Sequence, residues 1–133
     1  MGNSGLNGEV ALKYAIRKGW VQGPRMLVST RAIAPIGGQF PGMVPEAKAL
    51  IDVEYAVITG PDQARTAARQ ALYDGADCIK VIVDTDFNTL GVDELKAVVD
   101  EAHRVGKKWP RMPPANWGSA QRSAQVSIPR CSH

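Results

Sequence analysis

Apolar residues recur along the first hundred positions with the spacings of helices and of short buried strands. Three stretches carry apolar side chains on one helical face, and a glycine, a common helix stop, follows each of them. Two short runs rich in β-branched residues are typical of strands. The predicted elements are, in order, a helix at Gly8–Lys18, a strand at Arg25–Ile33, a helix from Pro61 to Gly75, a strand at Ala76–Asp84 and a helix at Val92–Val105.

This alternation predicts an α/β fold. The run Ala76–Asp84 is almost continuously apolar, which favours a parallel strand covered on both faces. Helices that alternate with such strands favour right-handed βαβ units and a parallel sheet. Residues 43–58 fit this pattern less well, with Pro45–Ile51 compatible with a short helix and Glu54–Ile58 with a short strand or an extended link.

The composition changes after Lys108. Segment 109–133 contains four prolines, three arginines and no carboxylate. Of the 16 basic residues in the chain, only Arg111, Arg122 and Arg130 lie there, so residues 1–108 balance 13 basic side chains with 13 acidic ones. We therefore divide the chain into a β/α segment, 1–108, and a proline-rich, basic C-terminal tail, 109–133.

Several classes of partner and location are disfavoured by the same data. Three scattered arginines are a thin electrostatic footprint, so we expect no nucleic-acid partner. No apolar run approaches the roughly 18 residues that span a bilayer, so we expect no membrane association. Cys78 and Cys131 show no CxxC spacing, and the N-terminus shows no secretory apolar region, which makes the cytoplasm the expected compartment.

Seven short motifs resemble the metal-dependent amidohydrolases of the imidazolonepropionase and prolidase-like type, in the order and spacing of that family. The resemblance covers about residues 2–108. The motifs are Gly2-Asn3-Ser4-Gly5, Gly23-Pro24-Arg25, Gly37-Gly38, Gly60-Pro61-Asp62, Gly75-Ala76-Asp77-Cys78-Ile79-Lys80, Val92-Asp93-Glu94-Leu95 and Glu101-Ala102-His103-Arg104-Val105-Gly106-Lys107.

The resemblance implies a (β/α)₈ barrel that holds one or two divalent metals, usually zinc. In that family, the metal ligands are an HxH pair, a strand lysine that is often carboxylated, two later histidines and an aspartate. In this chain, only Lys80 matches one of these positions. A barrel typically takes roughly 250 residues. The expected fold is therefore a truncated, partial (β/α) barrel fragment with parallel strands whose open edges are completed by oligomerisation.

The genetic code connects the tail to this resemblance. Suppose that Lys108 is encoded by AAG and that the DNA is read in a shifted frame from the third base of this codon. The shifted codons then encode Val, Ala, a residue that is not fixed, a residue that can be His, and Ala. The family shows this Val-Ala-x-His-Ala pattern at the next strand. The sequence therefore predicts a frameshift within or just after the Lys108 codon, and the alternative is a native tail that back-translates this way by coincidence.

The strongest candidate site residues lie on and after the predicted strand Ala76–Asp84. Lys80 and Asp84 alternate onto one face of it, and a buried lysine serves as a base, a nucleophile or a carbamate ligand. Asp84 and Asp86, with Asn88, resemble an oxygen-donor cluster for a hard cation. We predict Lys80 and Asp84 as catalytic residues and Lys80, Asp84 and Asp86 as metal ligands. The alternative for Lys80 is a lysine without catalytic function that pairs with a nearby carboxylate. The alternative for Asp84, Asp86 and Asn88 is a solvated loop that caps the following helix.

Other chemistry-bearing residues are weaker candidates. His103 lies beside the apolar stripe of the third helix, and Cys131 and His133 provide two zinc-type ligands near the C-terminus, which do not make a site. Gly37 and Gly38 precede Phe40 in a loop whose expected role is flexibility.

Three functions remain open at this point. The first is weak hydrolysis of an activated ester, lactone or phosphoester by a homo-oligomer, metal-assisted and using Lys80 and Asp84. The second is a non-catalytic fragment that folds and self-assembles. The third is a small-molecule or dinucleotide module with redox activity, binding NAD or NADP through the helix starts at Gly60–Asp62 and Gly91–Asp93.

Overall fold

The fold alternates helices and strands as the hydrophobic pattern predicts. In the computed structural model, residues 5–40, 45–83 and 88–105 and the backbone of 124–127 are described. The elements are α1 (Gly8–Arg17), β1 (Ala32–Ala34), α2 (Lys48–Glu54), β2 (Tyr55–Val57), α3 (Pro61–Tyr73), β3 (Cys78–Val81), α4 (Val92–Arg104) and β4 (Ala124–Ser127), with 3₁₀ turns at Gly5–Asn7 and Pro45–Ala47.

The four strands form one open sheet in the order β2-β1-β3-β4. Strand β1 lies in the middle and pairs in parallel with β2, with Ile33 opposite Ala56, and with β3, with Ile33 opposite Val81. Strand β4 pairs with β3 in the antiparallel direction. The α/β class and the parallel strands are thus confirmed.

Helices cover both faces of this sheet. On one face, α3 and α4 pack over Ile33, Ile79 and Val81. Alanines supply much of the helix surface there, and their small side chains let the backbones approach closely; they are Ala64, Ala68, Ala97 and Ala102. On the other face, Ile51 of α2 joins a smaller cluster with Ala32, Ala34, Tyr55 and Ile82.

The predicted first strand is the element whose bounds change most. Of the segment Arg25–Ile33, only the end belongs to β1, which begins at Ala32. Before it, the carbonyl of Val28 accepts hydrogen bonds from the backbone N–H groups of Asp77 and Cys78, at 2.8 and 3.3 Å. Residues 28–30 are buried, but Thr30 has a positive φ of 59°, so the segment does not form a continuous strand.

A buried ion pair fastens α1 to the amino end of β3. The Lys13 ammonium lies 2.8 Å from Asp77 Oδ2 and also donates to the carbonyl of Gly75. Asp77 Oδ2 accepts a further hydrogen bond from the backbone N–H of Val28, at 3.2 Å. Because both charged side chains are almost fully buried, each depends on the other for its stabilisation.

None of the helices in the described ranges combines the length and the hydropathy that a membrane-spanning helix requires.

Breaking the buried pair should be costly. We expect Asp77→Asn to lower the free energy of unfolding by about 3–5 kcal/mol, because it leaves the Lys13 charge buried and uncompensated. Asp52→Asn, which breaks the exposed Lys48–Asp52 pair at 2.6 Å, should change it by less than about 1 kcal/mol. Urea denaturation of both variants checks this, and equal effects would contradict it.

A second ion cluster joins α3 to α4. The buried carboxylate of Glu101 accepts two hydrogen bonds from Arg69, at 2.9 and 2.8 Å, and one from Arg104 at 2.9 Å. These donors, Arg69 first, lower the pKa of Glu101 from 4.5 to about 2. The ionised carboxylate therefore stabilises the contact between the two helices.

This pKa shift predicts how stability depends on pH. The contribution of Glu101 is complete above about pH 4.5 and is lost as the pH falls towards 2. We expect Glu101→Gln to lower stability by about 2 kcal/mol at neutral pH, and the gap in Tm between it and wild type to narrow between pH 5 and pH 2. Glu46→Gln, at an exposed position, is the control. A gap that does not change with pH would contradict the assignment.

Candidate functional site

Lys80 lies on the sheet face opposite helices α3 and α4. It is the third residue of β3, and successive side chains of a strand point to opposite faces. Its neighbours Ile79 and Val81 pack beneath α3 and α4. Lys80 therefore shares its face with Cys78 and Ile82, as the alternation predicts.

On that face, Lys80 lies near an apolar cluster, and Gln125 of β4 is its partner across the antiparallel strand pair. The neighbouring cluster contains alanines from β1 and the buried Ile82, while Lys80 itself is half-buried. No hydrogen bond or ion pair joins the Lys80 ammonium to another residue within the described ranges. The described carboxylates thus do not provide the ion pair that was the alternative explanation for this lysine.

The loop after β3 carries the remaining predicted ligands. Asp84 and Asp86 lie outside the described residues. On either side of them, the backbone N–H of Leu90 donates to the carbonyl of Val83 at 2.9 Å, which closes the base of the loop. Asn88 Oδ1 accepts from the backbone N–H of Thr89 at 3.0 Å, a local turn contact.

The histidine and cysteine candidates do not converge on Lys80. His103 is exposed on α4, on the helix side of the sheet, and Cys131 and His133 lie outside the described residues. Cys78 is buried, with its sulfur 3.6 Å from the carbonyl of Val28.

Zinc sites use three or four nitrogen, sulfur or oxygen ligands. Residues 5–40, 45–83 and 88–105 contain no group of three His, Cys, Asp or Glu side chains arranged to hold a metal. Lys80 alone does not fit a zinc centre, so we derive no chemical step through a metal.

The glycine loop after β1 folds back over Tyr55, a residue that the sequence pattern did not single out. The Phe40 ring meets the Tyr55 ring edge to face, with centroids 6.2 Å apart, and the Tyr55 hydroxyl donates to Gln39 Oε1 at 3.2 Å. Burial, and then the charge of Glu54, raises the pKa of Tyr55. Gly38 takes a left-handed backbone conformation and leaves room for the ring.

A groove runs along the outer side of β2. It has a volume of about 630 Å³ and lies between the strand and α3. Its polar lining comes from the start of β1, the end of α2 and the outward side of α3: Arg31, Asp52, Asp62, Gln63, Thr66 and Gln70. Since β1 separates β2 from β3, the groove is distinct from the surroundings of Lys80.

Several solved structures share this arrangement. A Xaa-Pro dipeptidase with methionine in its active site matches 80% of this chain at 28% identity, with a TM-score of 0.64. An amidohydrolase matches 79% at 29% identity with a TM-score of 0.61. A prolidase complexed with N-methylphosphonate-L-proline matches 72% at 25% identity with a TM-score of 0.58.

The chain has an amidohydrolase-like fold. It spans 29% of the length of the Xaa-Pro dipeptidase and of the amidohydrolase and 28% of the prolidase, so it corresponds to part of an amidohydrolase-like domain. No family model and no curated protein matches the sequence.

The packing of the glycine loop predicts an unequal effect of two alanine substitutions. Gly19 and Gly38 both have positive φ, +75° and +61°, but a Cβ on Gly38 would lie 2.9 Å from the Tyr55 ring, whereas one on Gly19 would meet nothing within 4 Å. We expect Gly19→Ala to cost about 1 kcal/mol and Gly38→Ala to cost about 1–3 kcal/mol more. Thermal unfolding checks this, and equal losses would show that the loop does not pack on Tyr55.

Proposed function

We propose that this chain is a weak hydrolase of activated esters, lactones or phosphoesters that uses the Lys80 amine. The observation that carries the proposal is the position of this amine on an amidohydrolase-like sheet. It is half-buried beside apolar side chains and has no ion-pair partner among the described residues. A lysine amine can serve as a base or a nucleophile in hydrolysis.

The position of Lys80 along its strand supports the same proposal. In barrel enzymes, reacting groups gather at the carboxyl ends of the parallel strands. Lys80 is one residue from the end of β3, and the loop closed by Val83 and Leu90 follows directly. The opposite end of β3 is occupied by the Lys13–Asp77 pair, which holds α1 in place.

The proposed step is general-base hydrolysis. The unprotonated Lys80 amine accepts a proton from water while the water oxygen attacks the carbonyl carbon of the ester. The tetrahedral adduct then expels the alcohol, which takes up the proton that Lys80 received, so the amine is regenerated.

The remaining parts of the proposal also involve Asp84, Asp86 and Lys108, which lie outside the described ranges. We propose Asp84 as a second catalytic residue and, as the alternative to the general-base role of Lys80, we propose Lys80, Asp84 and Asp86 as ligands for a divalent metal that would assist hydrolysis. We also propose that the tail after Lys108 is translated out of frame. Sequencing the encoding DNA tests this last point, since the proposal requires AAG at Lys108.

Paired lysine substitutions test the hydrolase. We expect wild type to release p-nitrophenol from p-nitrophenyl acetate faster than buffer does, and Lys80→Met to reduce the rate to that of buffer while keeping the circular dichroism spectrum. Lys96→Met removes an exposed lysine from α4 and should leave the rate unchanged.

Two results would contradict the proposal. Equal rates for wild type and Lys80→Met would exclude this lysine. A wild-type rate equal to that of buffer would favour the non-catalytic alternative. In that case, a saturable rise in Tm with NAD or NADP would favour the dinucleotide-binding alternative.

A further inference from the structure

Strand β2 forms an edge of the sheet, and half of its backbone hydrogen-bonding groups face away from β1. The N–H of Ile58 donates to the carbonyl of Ala34, so Ile58 and, two residues earlier, Ala56 direct their backbone groups towards β1. Tyr55 and Val57 direct theirs outwards. No strand in the described part of the chain covers this side. An uncovered edge of this kind is a template for pairing with another strand.

The groove beside this edge carries opposite charges at its two ends. Arg31 lies at the amino end, one position before Ala32, which pairs with Tyr55. Asp62 lies beyond the carboxyl end, in the first turn of α3. The third charged residue of the groove, Asp52, is already paired with Lys48 at 2.6 Å.

Neither end charge is neutralised by an ion pair within the described residues. Among the described residues, the Arg31 guanidinium donates through one nitrogen to the carbonyl of Asp52 at 3.0 Å, and none of them accepts from its other N–H groups. The described salt bridges do not include Asp62. The edge therefore presents a positive end and a negative end on either side of a short strand.

We propose that two copies of this chain pair through β2 in the antiparallel direction, about a two-fold axis at Ala56. Tyr55 of each copy then lies opposite Val57 of the partner subunit, and each such pair can exchange two backbone hydrogen bonds. Arg31 of each copy lies at the end occupied by Asp62 of the partner subunit. The result is one continuous sheet across both copies, with a closed, isologous interface.

The charges select this orientation over the parallel one. Parallel pairing of the two edges would bring Arg31 beside Arg31 and Asp62 beside Asp62, and like charges at close range are destabilising. Since β2 has only three residues, the interface falls at the low end of the usual size range. The dimer should consequently dissociate on dilution. It does not depend on hydrolysis at Lys80.

Sedimentation equilibrium over a wide range of protein concentration tests the proposal. We expect the average mass of wild type to rise from 14.3 kDa towards twice that value as the concentration increases. Arg31→Glu and Asp62→Arg should each weaken dimerisation by tenfold or more, because each places like charges at both ends of the interface. The double variant restores opposite charges and should recover dimerisation.

Two further variants separate the interface from general effects. Asp93 is the second residue of α4, as Asp62 is of α3. Asp93→Arg therefore makes the same change of charge as Asp62→Arg but away from β2, and it should not alter dimerisation. Val57→Pro removes an outward N–H while leaving the hydrogen bonds between β1 and β2, and should weaken the dimer. Its circular dichroism spectrum reports whether the fold is kept.

Three results would overturn the proposal. The first is a wild type that stays monomeric at all concentrations. The second is a dimer that neither Arg31→Glu nor Asp62→Arg weakens. The third is a double variant that dimerises no better than the single ones.

Discussion

The pairing of β1 with both neighbouring strands is the contact on which the rest of the fold depends. Ile33 lies opposite Ala56 on one side and Val81 on the other, so one three-residue strand holds the parallel sheet together. Its side chains are fully buried, with Ile33 beneath the α3–α4 layer and Ala32 and Ala34 on the other face. The short alanine side chains leave space there for α2 and for the loop that packs on Tyr55.

Three of the four buried charged side chains among the described residues form ion pairs, whereas neither carboxylate oxygen of the fourth, Glu9, has a hydrogen-bond partner. Lys13 and Asp77 fasten α1 at the amino end of β3, and Glu101 fastens α4 to α3 through Arg69. Each of these carboxylates has cationic partners, which accounts for its burial. Lys80 differs from Lys13 in that no described residue pairs with it. This contrast between two lysines of one small domain is the physical basis of the proposed site.

Local patterns predicted the helices well because an amphipathic helix is defined by its own residues. The bounds of α1, α3 and α4 agree with the predicted ones to within two residues. Strand pairing depends on partners far away in the chain, so the pattern of Arg25–Ile33 did not show that only its end joins the ladder. In residues 43–58 the hydrophobic periodicity was weak, and the sequence was compatible with a short helix followed by a short strand or an extended link. The structure has a short helix there, α2, followed by a short strand, β2.

The candidate site was predicted only in part, for a similar reason. Alternation along β3 was enough to place Lys80 on the face opposite α3 and α4. The contact of Tyr55 with Gln39 and Phe40 crosses from β2 to the loop after β1, and Lys13 and Asp77 are 64 positions apart. Neither contact has a local signal in the sequence.

Acetylation of individual lysines with acetic anhydride, measured by peptide mass spectrometry on the folded protein, tests the central claim most directly. The account predicts that Lys80 is acetylated readily, whereas Lys13, whose ammonium is buried and paired with Asp77, is protected. Protection of Lys80 equal to that of Lys13 would contradict the claim that its amine is available for chemistry.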